Sequence, residues 1–593
     1  MAQQSTNAPR RDDAWQPPAD ETSRRPPSES QRSEVDTGSN RDLVERDELA
    51  PIGEGDEPDT SPTARYDQNG EFSTGGFTGN IWQGLDVDTV ETLLNEIKPP
   101  PRSPALHSLW RKTMTANSPP PTGRSSDAFA AVRARALYRA GLLRTLSDWL
   151  KNRPQSRNGV AQSVLTLFEA SADLGLGNDE LACRAAQKLS GSASSLPDAL
   201  KGDAILITGY CAAANGNTAA AGLAAELASE AGLPDSEGLS TLRAIAAATK
   251  PTLNTTVGRL TLIDYRILQA ADARPKSIDV TKLKPPVLIA IANDAKADPI
   301  HRLLAAEAAF DINAVRPETV AKIYRDTTAI GEAKTREQQD AIQRAKSYTA
   351  AQVARDGNEK IKFVSSYLKA AAQSPFYDSC LRLAFDVLVA MEPGPANTHF
   401  SDAAILLALT AHAPKNARLW ADTPTETGRR NDSANWFGLI DIAGGGSMPI
   451  GAGIRSYAEP EKFGGSMAAL ESMALRGAFK PELLHKLVTV LDALSYQVPI
   501  PLWDAASQAS QPTGGYLPPT GVLSQLGDAA KQGEVGKVVL LAMKAIGPGG
   551  PRNAHMISLG DTVRALKRVG LVEQARQLGV EALLPDWPYQ SRQ

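Results

Sequence analysis

Residues 565–584 read ALKRVGLVEQARQLGVEALL, and the fold is decided by how this stretch is read. Gly570 stands between two helical runs, where a glycine suits the left-handed residue that ends a helix. Ala575 and Ala582 follow, and side chains this small let two helices approach closely. The same offsets recur far upstream, where Gly216 is followed by Ala221 and Ala228. A helical hairpin used at two distant places in one register predicts an array of hairpins.

Working outward, the unit recurs from Ser126 onward: a helix of about 12 to 16 residues, a short Gly, Asn, Asp or Pro turn, then another helix. Ala134 to Leu150, Val160 to Leu174 and Glu180 to Leu189 read this way. So do Leu239 to Thr249, Val257 to Ala271, Arg302 to Ile312, Glu318 to Arg325, Glu359 to Ala372 and Tyr377 to Met391. Ile205-Leu206-Ile207 and Val287-Leu288-Ile289 are too short and too embedded in helical pattern to be strands. Composition agrees. The chain of 593 residues is 42% hydrophobic but only 5% aromatic, with alanine and leucine dominant, which favours helix over sheet.

Charge excludes one class of partner. Lys and Arg number 63 against 67 Asp and Glu, so the bulk carries no electrostatic case for nucleic acid. Cys183, Cys211 and Cys380 form no CxxC pair, and they are expected to be small buried hydrophobes. His107, His301, His399, His412, His485 and His555 are scattered, so neither a metal nor another cofactor is expected. No apolar run reaches the ~18 residues of a membrane span. As written, the chain has no secretory h-region and is expected in the cytoplasm. Met1-Ala2-Gln3-Gln4-Ser5 also resembles the residue stretch left after signal cleavage, so a start codon upstream would place the protein in the periplasm.

Residues 1–80 are rich in Pro, Ser and charges of both signs, with few apolar residues, and are expected to be a disordered arm. Residues 81–122 read as a helical cap. Asp86 or Asp88 is placed to cap a helix over Thr89 to Ile97, Pro99-Pro100-Pro101 ends it, and Ser103-Pro104 starts the next. Residues 123–430 form the array and 466–593 its C-terminal repeats. Between them, residues 431–465 are an irregular insertion. Asn435-Trp436-Phe437 opens a helix there that Gly444-Gly445-Gly446 breaks.

The hairpins at Gly216 and Gly570 resemble degenerate tetratricopeptide repeats, whose turn glycine and small alanines fall at those offsets. Ala225 and Gly579 stand where that repeat carries a large aromatic, and the pair beginning at Gly141 departs altogether, with Leu146 and Arg153 at the small positions. The Asn80-Ile81-Trp82-Gln83-Gly84 segment, the SPALHSLWRK helix at 103–112 and the 565–584 hairpin together resemble a family of alphaproteobacterial helical-repeat proteins. These resemblances imply an all-α, right-handed α-solenoid of stacked hairpins. They imply no activity.

Tests for chemistry fail one by one. Gly446 and Gly451 match the glycines of a phosphate loop, but Ala452 and Gly453 stand where it needs Lys and Ser or Thr. Pro449 occupies the last glycine position of a dinucleotide fingerprint. Ser366 and Lys369 form an SxxK with no SDN or KTG triplet to complete it. Glu307 and Asp311 lie at i, i+4, a spacing common by chance, and the tryptophans are dispersed rather than gathered for a sugar cleft. Asn431-Asp432-Ser433 and Asn254-Thr255-Thr256 match a glycosylation triplet too short to carry weight.

The leading expectation is therefore a non-enzymatic scaffold or adaptor that holds a protein partner on a helical-repeat surface. Phe77, Trp82, Trp436, Phe437, Met448 and Tyr457 are the candidate contacts. An envelope structural protein is the second reading. An enzyme is the third, with His399, Asp402 and His412 as the nearest approach to a polar cluster.

Overall fold

The computed structural model describes residues 79–97, 101–153, 159–191, 195–251, 260–327, 333, 335–424, 434–444 and 460–588. The chain divides into two units at Ser61–Pro62. Residues 1–78 of the expected disordered arm, with Phe77, lie outside the described residues, as do the centre of the glycine-rich insertion with Met448 and Tyr457 and both glycosylation triplets.

The described residues form 26 α-helices and no strand, as the alanine- and leucine-rich periodicity predicts. The cap region supplies α1 (Val87–Glu96) and α2 (Pro104–Thr115). Asp86, not Asp88, caps α1, its Oδ1 accepting the Thr89 N–H at 2.8 Å. Ser103 caps α2 with Pro104 in its first turn. Next come α3 (Ser126–Arg139) and α4 (Leu143–Lys151). They divide the span Ala134 to Leu150 at Gly141, where φ is +74° and a Cβ would stand 2.8 Å from Pro285 Cβ.

Hairpins then follow in series: α5 (Gly159–Leu176), α6 (Asp179–Ser190), α7 (Asp198–Ala214), α8 (Thr218–Glu230), α9 (Glu237–Ala246) and α10 (Leu262–Ala270). The middle of the stack is α11 (Pro285–Asn293), α12 (Pro299–Asp311), α13 (Pro317–Thr327), α14 (Arg336–Val353), α15 (Gly357–Ala371) and α16 (Tyr377–Leu388). Then come α17 (Ser401–Thr410), α18 (Pro414–Ala421), α19 (Ala434–Gly444) and α20 (Pro460–Leu475). The last six are α21 (Pro481–Ala493), α22 (Ile500–Gln508), α23 (Val522–Gln532), α24 (Val535–Ile546), α25 (Met556–Arg568) and α26 (Val572–Leu583).

Neighbours in sequence pack on one another along the stack. The shared register has a physical basis. Gly216 and Gly570 have φ of +75° and +85°, and Ala221, Ala228, Ala575 and Ala582 are fully buried between helices. Gly579 is pressed so closely on α21 that a Cβ would sit 2.7 Å from Val490 Cγ1, which leaves no room for an aromatic.

The first helices of the described fold pack on the last. α1 lies against α24, and α2 lies against α24 and α26. The Gly536 N–H donates to the Ile81 carbonyl at 2.9 Å, and Lys544 reaches Glu96 at 2.6 Å. The N-terminal cap is therefore also a seam to the C-terminal hairpins, a contact that local pattern does not carry.

The cysteines require a correction. Cys183 on α6 and Cys211 on α7 are joined in a disulfide, their Cα atoms 5.6 Å apart, and Cys380 alone is a free buried thiol. The absence of any CxxC hid this, because the pair is brought together by packing of the two helices.

Candidate functional site

The seam carries a polar site beside a cleft. It is built from the start of α2. Ser103 Oγ accepts the Leu106 N–H, as a cap should, at 3.1 Å. The same hydroxyl donates to Glu581 Oε2 at 2.5 Å, and Glu581 Oε1 accepts the Ala105 N–H at 2.9 Å. A carboxylate from α26 thus completes the N-terminus of a helix some 480 residues earlier, where the backbone N–H groups and the helix dipole favour negative charge. His412, in a left-handed conformation at the end of α17 (φ +56°), brings its Nε2 to 3.0 Å from Glu581 Oε1.

Beside this junction lies a cleft of about 560 Å³. Arg102, Asp311, Asp378, Arg382, Arg552 and Glu581 are its charged residues. A smaller cavity of about 220 Å³ adjoins it and shares Arg102, Ser103 and Gly550. The two follow the seam between α2 and the Gly547–Pro551 turn.

Most of the cleft's charges are already engaged. Asp311 accepts from Ser379 Oγ at 2.6 Å. Arg382 donates to Asn313 Oδ1, to Ser379 Oγ at 3.0 Å and to the Phe310 carbonyl, and its guanidinium stacks 5.0 Å over the Phe310 ring. Its Nε is buried with no acceptor. Burial lowers the Arg382 pKa, opposed by Asp311, Glu581 and Asp378. Arg552 has Asp586 at 3.6 Å.

Two groups are uncommitted. Among the described residues Arg102 makes no hydrogen bond or ion pair, and Asp378 accepts no hydrogen bond. Both are solvent-exposed, although surrounding protein still partly desolvates the Asp378 carboxyl. Burial raises its carboxyl above the ordinary range, helped by Asp311 and Glu581 and opposed by Arg552 and Arg382.

The residues singled out from sequence fall elsewhere. Trp82 and Trp436, expected as partner contacts, are each 1% exposed. Trp82 packs edge-on to Phe129 beneath the seam, and Trp436 Nε1 donates to Asp402 Oδ1 at 2.8 Å. Both are core residues because an indole buries much apolar surface; the Trp436 N–H has its partner, whereas the Trp82 N–H is buried without one. Phe437 is half-buried under the Arg418 guanidinium, 4.6 Å away. His399, Asp402 and His412 do not converge: Asp402 and His412 lie at opposite ends of α17, and His399 is exposed. Glu307 and Asp311, spaced alike on α12, serve different ends. Glu307 is buried against Arg344, whereas Asp311 faces the cleft. Ser366 Oγ lies 3.1 Å from Ser347 Oγ on α14, and Lys369 is exposed.

The seam does bring a serine, a histidine and a glutamate together. Their order is Ser103–Glu581–His412, with the acid in the middle. The imidazole contacts the carboxylate and not the serine, so it is not placed to take a proton from Ser103 Oγ, and that hydroxyl is a helix cap. Arg102, Asp378 and Glu581 carried no signal in the sequence, since each is an ordinary charged residue until the chain closes. No protein-family profile, curated protein or solved structure matches the chain.

Proposed function

We propose that this chain is a non-enzymatic adaptor, and that the seam cleft is where its helical array holds a polypeptide segment of a protein partner. The observation that carries this reading is a pair of opposite charges, Arg102 and Asp378, both solvent-exposed and unpaired on the walls of one cleft whose other charged groups are engaged within the chain. The cleft continues into the neighbouring cavity, and an elongated, partly apolar trough suits an extended chain better than a compact solute. The right-handed solenoid, the tetratricopeptide-like character and membership of the alphaproteobacterial family belong to the same proposal and rest on the quoted register and segments.

The test is site-specific photo-crosslinking in cells, with the crosslinker at Ser374 or Thr410 on the cleft and at Val353, 73% exposed, as the control. A discrete polypeptide adduct from the cleft positions, absent from Val353, is the expected result. Adducts that do not depend on position overturn the reading.

We further propose an extracytoplasmic, oxidising compartment, the second of the two expected locations. The Cys183–Cys211 disulfide supports it, because such bonds persist where thiols are not kept reduced. No helix among the described residues is long and apolar enough to cross a membrane. Protein taken directly from cells into denaturant and a thiol-blocking reagent should show one reactive thiol, Cys380, and three after reduction. Three thiols before reduction would return the protein to a reducing compartment.

A further inference from the structure

We infer that the seam cleft recognises a short zwitterionic peptide by both of its free ends, the ammonium at Asp378 and the carboxylate at Arg102. The inference rests on the polypeptide-binding reading and names what that site selects. One acid and one base are uncommitted, so a ligand that satisfies both carries one charge of each sign. An anion such as phosphate fits poorly, because Asp311, Asp378 and Glu581 share the same walls. A lone cation leaves Arg102 unanswered.

Placement argues against a single amino acid. Asp378 lines only the larger cavity, while Arg102 stands where the larger and smaller cavities join. The larger volume, about 560 Å³, is several times that of one residue. Leu381, Leu406, Leu409 and Val580 offer apolar wall to side chains between the two ends. Gly549 and Gly550 also line the cleft, but the Gly549 carbonyl accepts from Asn553 Nδ2 at 3.0 Å and the Gly550 N–H and carbonyl are bonded within the turn, so the peptide is held by its ends and side chains there. The buried Arg382 Nε–H, without an acceptor in the chain, is a further donor in the same wall.

The experiment is calorimetric titration of the full chain with alanine peptides two to five residues long. Each length is used with free ends, with the amine acetylated and with the carboxylate amidated. At one length at least, the free peptide should bind about ten-fold or more tightly than either blocked form, the loss expected when a charge-assisted contact is removed. Asp378→Asn should abolish the preference over the acetylated peptide and keep the preference over the amide. Arg102→Gln should do the converse. Neither side chain is bonded within the described fold, so both variants should melt like the parent, which circular dichroism checks. The inference is overturned if no length binds, if a blocked peptide binds as tightly as the free one, or if the two variants leave the preferences unmoved. Position-specific crosslinking at Ser374 or Thr410 with no preference for free ends would sink this inference alone. Failure of the crosslinking itself would sink the function beneath it.

Discussion

His107 sits inside α2 with its Nε2 buried and unbonded. Burial first, then the charges of Arg111 and Arg382, push its pKa down to about 3. The folded state therefore holds a neutral imidazole that the unfolded chain protonates near pH 6.5. The stability it contributes is complete above about pH 6.5 and is lost as pH falls toward 3. Between pH 7 and pH 5 this amounts to about 2 kcal/mol. His107→Met, similar in size and unable to titrate, should match the parent at pH 7 and exceed it by about that amount at pH 5 in urea melts; equal pH slopes would show that the imidazole is not held neutral. Glu307 and Arg344 are the opposite case, each side chain 2% exposed and the pair bonded at 2.6 Å, with Tyr324 donating to the same carboxylate. Arg344→Leu strands a buried carboxylate and should cost about 3–5 kcal/mol, much of it recovered in the double variant with Glu307→Leu. The sequence shows Glu307 one turn before Asp311 on a helix. It does not show that one meets an arginine and the other a cleft, because the partners lie on α14 and α16.

At the scale of the element, local chemistry is well written in the sequence. The caps Asp86 and Ser103, the prolines that start helices and the left-handed glycines at 216 and 570 all act within a few residues of themselves, so a linear reading finds them. Glu581 is legible only as one of several polar residues on the last hairpin. Its structural part, finishing the N-terminus of α2, depends on the seam. Glu581→Ala removes the acceptor of the Ala105 N–H and a partner of Ser103, and should cost about 1–3 kcal/mol. The loss should be local at first: hydrogen exchange at Ala105 and Leu106 should quicken before exchange in α14 or α15 changes. Glu581→Gln keeps an acceptor and should recover part of the protection. Unchanged exchange at Ala105 in the alanine variant would show that α2 does not need the remote carboxylate. The misread tryptophans belong to this scale too. Trp82 and Trp436 are aromatics beside glycine-rich sequence, yet Trp82 packs on Phe129 of α3 and Trp436 is bonded to Asp402 of α17, and the most exposed tryptophan among the described residues is Trp503, at 45%.

For the whole molecule, the two links that sequence periodicity leaves out are the ones that tie the array together. The Cys183–Cys211 bond closes a separation of 28 residues, which corresponds to about 3.6 kcal/mol of lost unfolded-state entropy, so reductant should lower the melting temperature of the parent but not of the Cys183→Ser/Cys211→Ser variant. The seam is the larger link. An open stack of hairpins melts piecemeal, since each unit touches only its neighbours. Packing the first helices on the last removes a free end and couples α1 and α2 to α24 and α26. At Gly536 this coupling brings backbone against backbone: a Cβ there would stand 2.4 Å from the Ile81 carbonyl oxygen and 3.4 Å from the Trp82 ring, so backbone must move to admit one. Gly536→Ala should therefore open the seam even though alanine favours the helix it joins. Hydrogen exchange during urea unfolding should show residues 81–115 released before the middle hairpins in this variant and together with them in the parent. Gly216→Ala is the control, because a Cβ there meets nothing within 4 Å and only the φ of +75° is strained, a cost of about 1 kcal/mol confined to one turn. If Gly536→Ala unfolds in a single step like the parent, the closure does not set the molecule's cooperativity, and the stack behaves as the sequence alone would have it, a row of neighbouring hairpins.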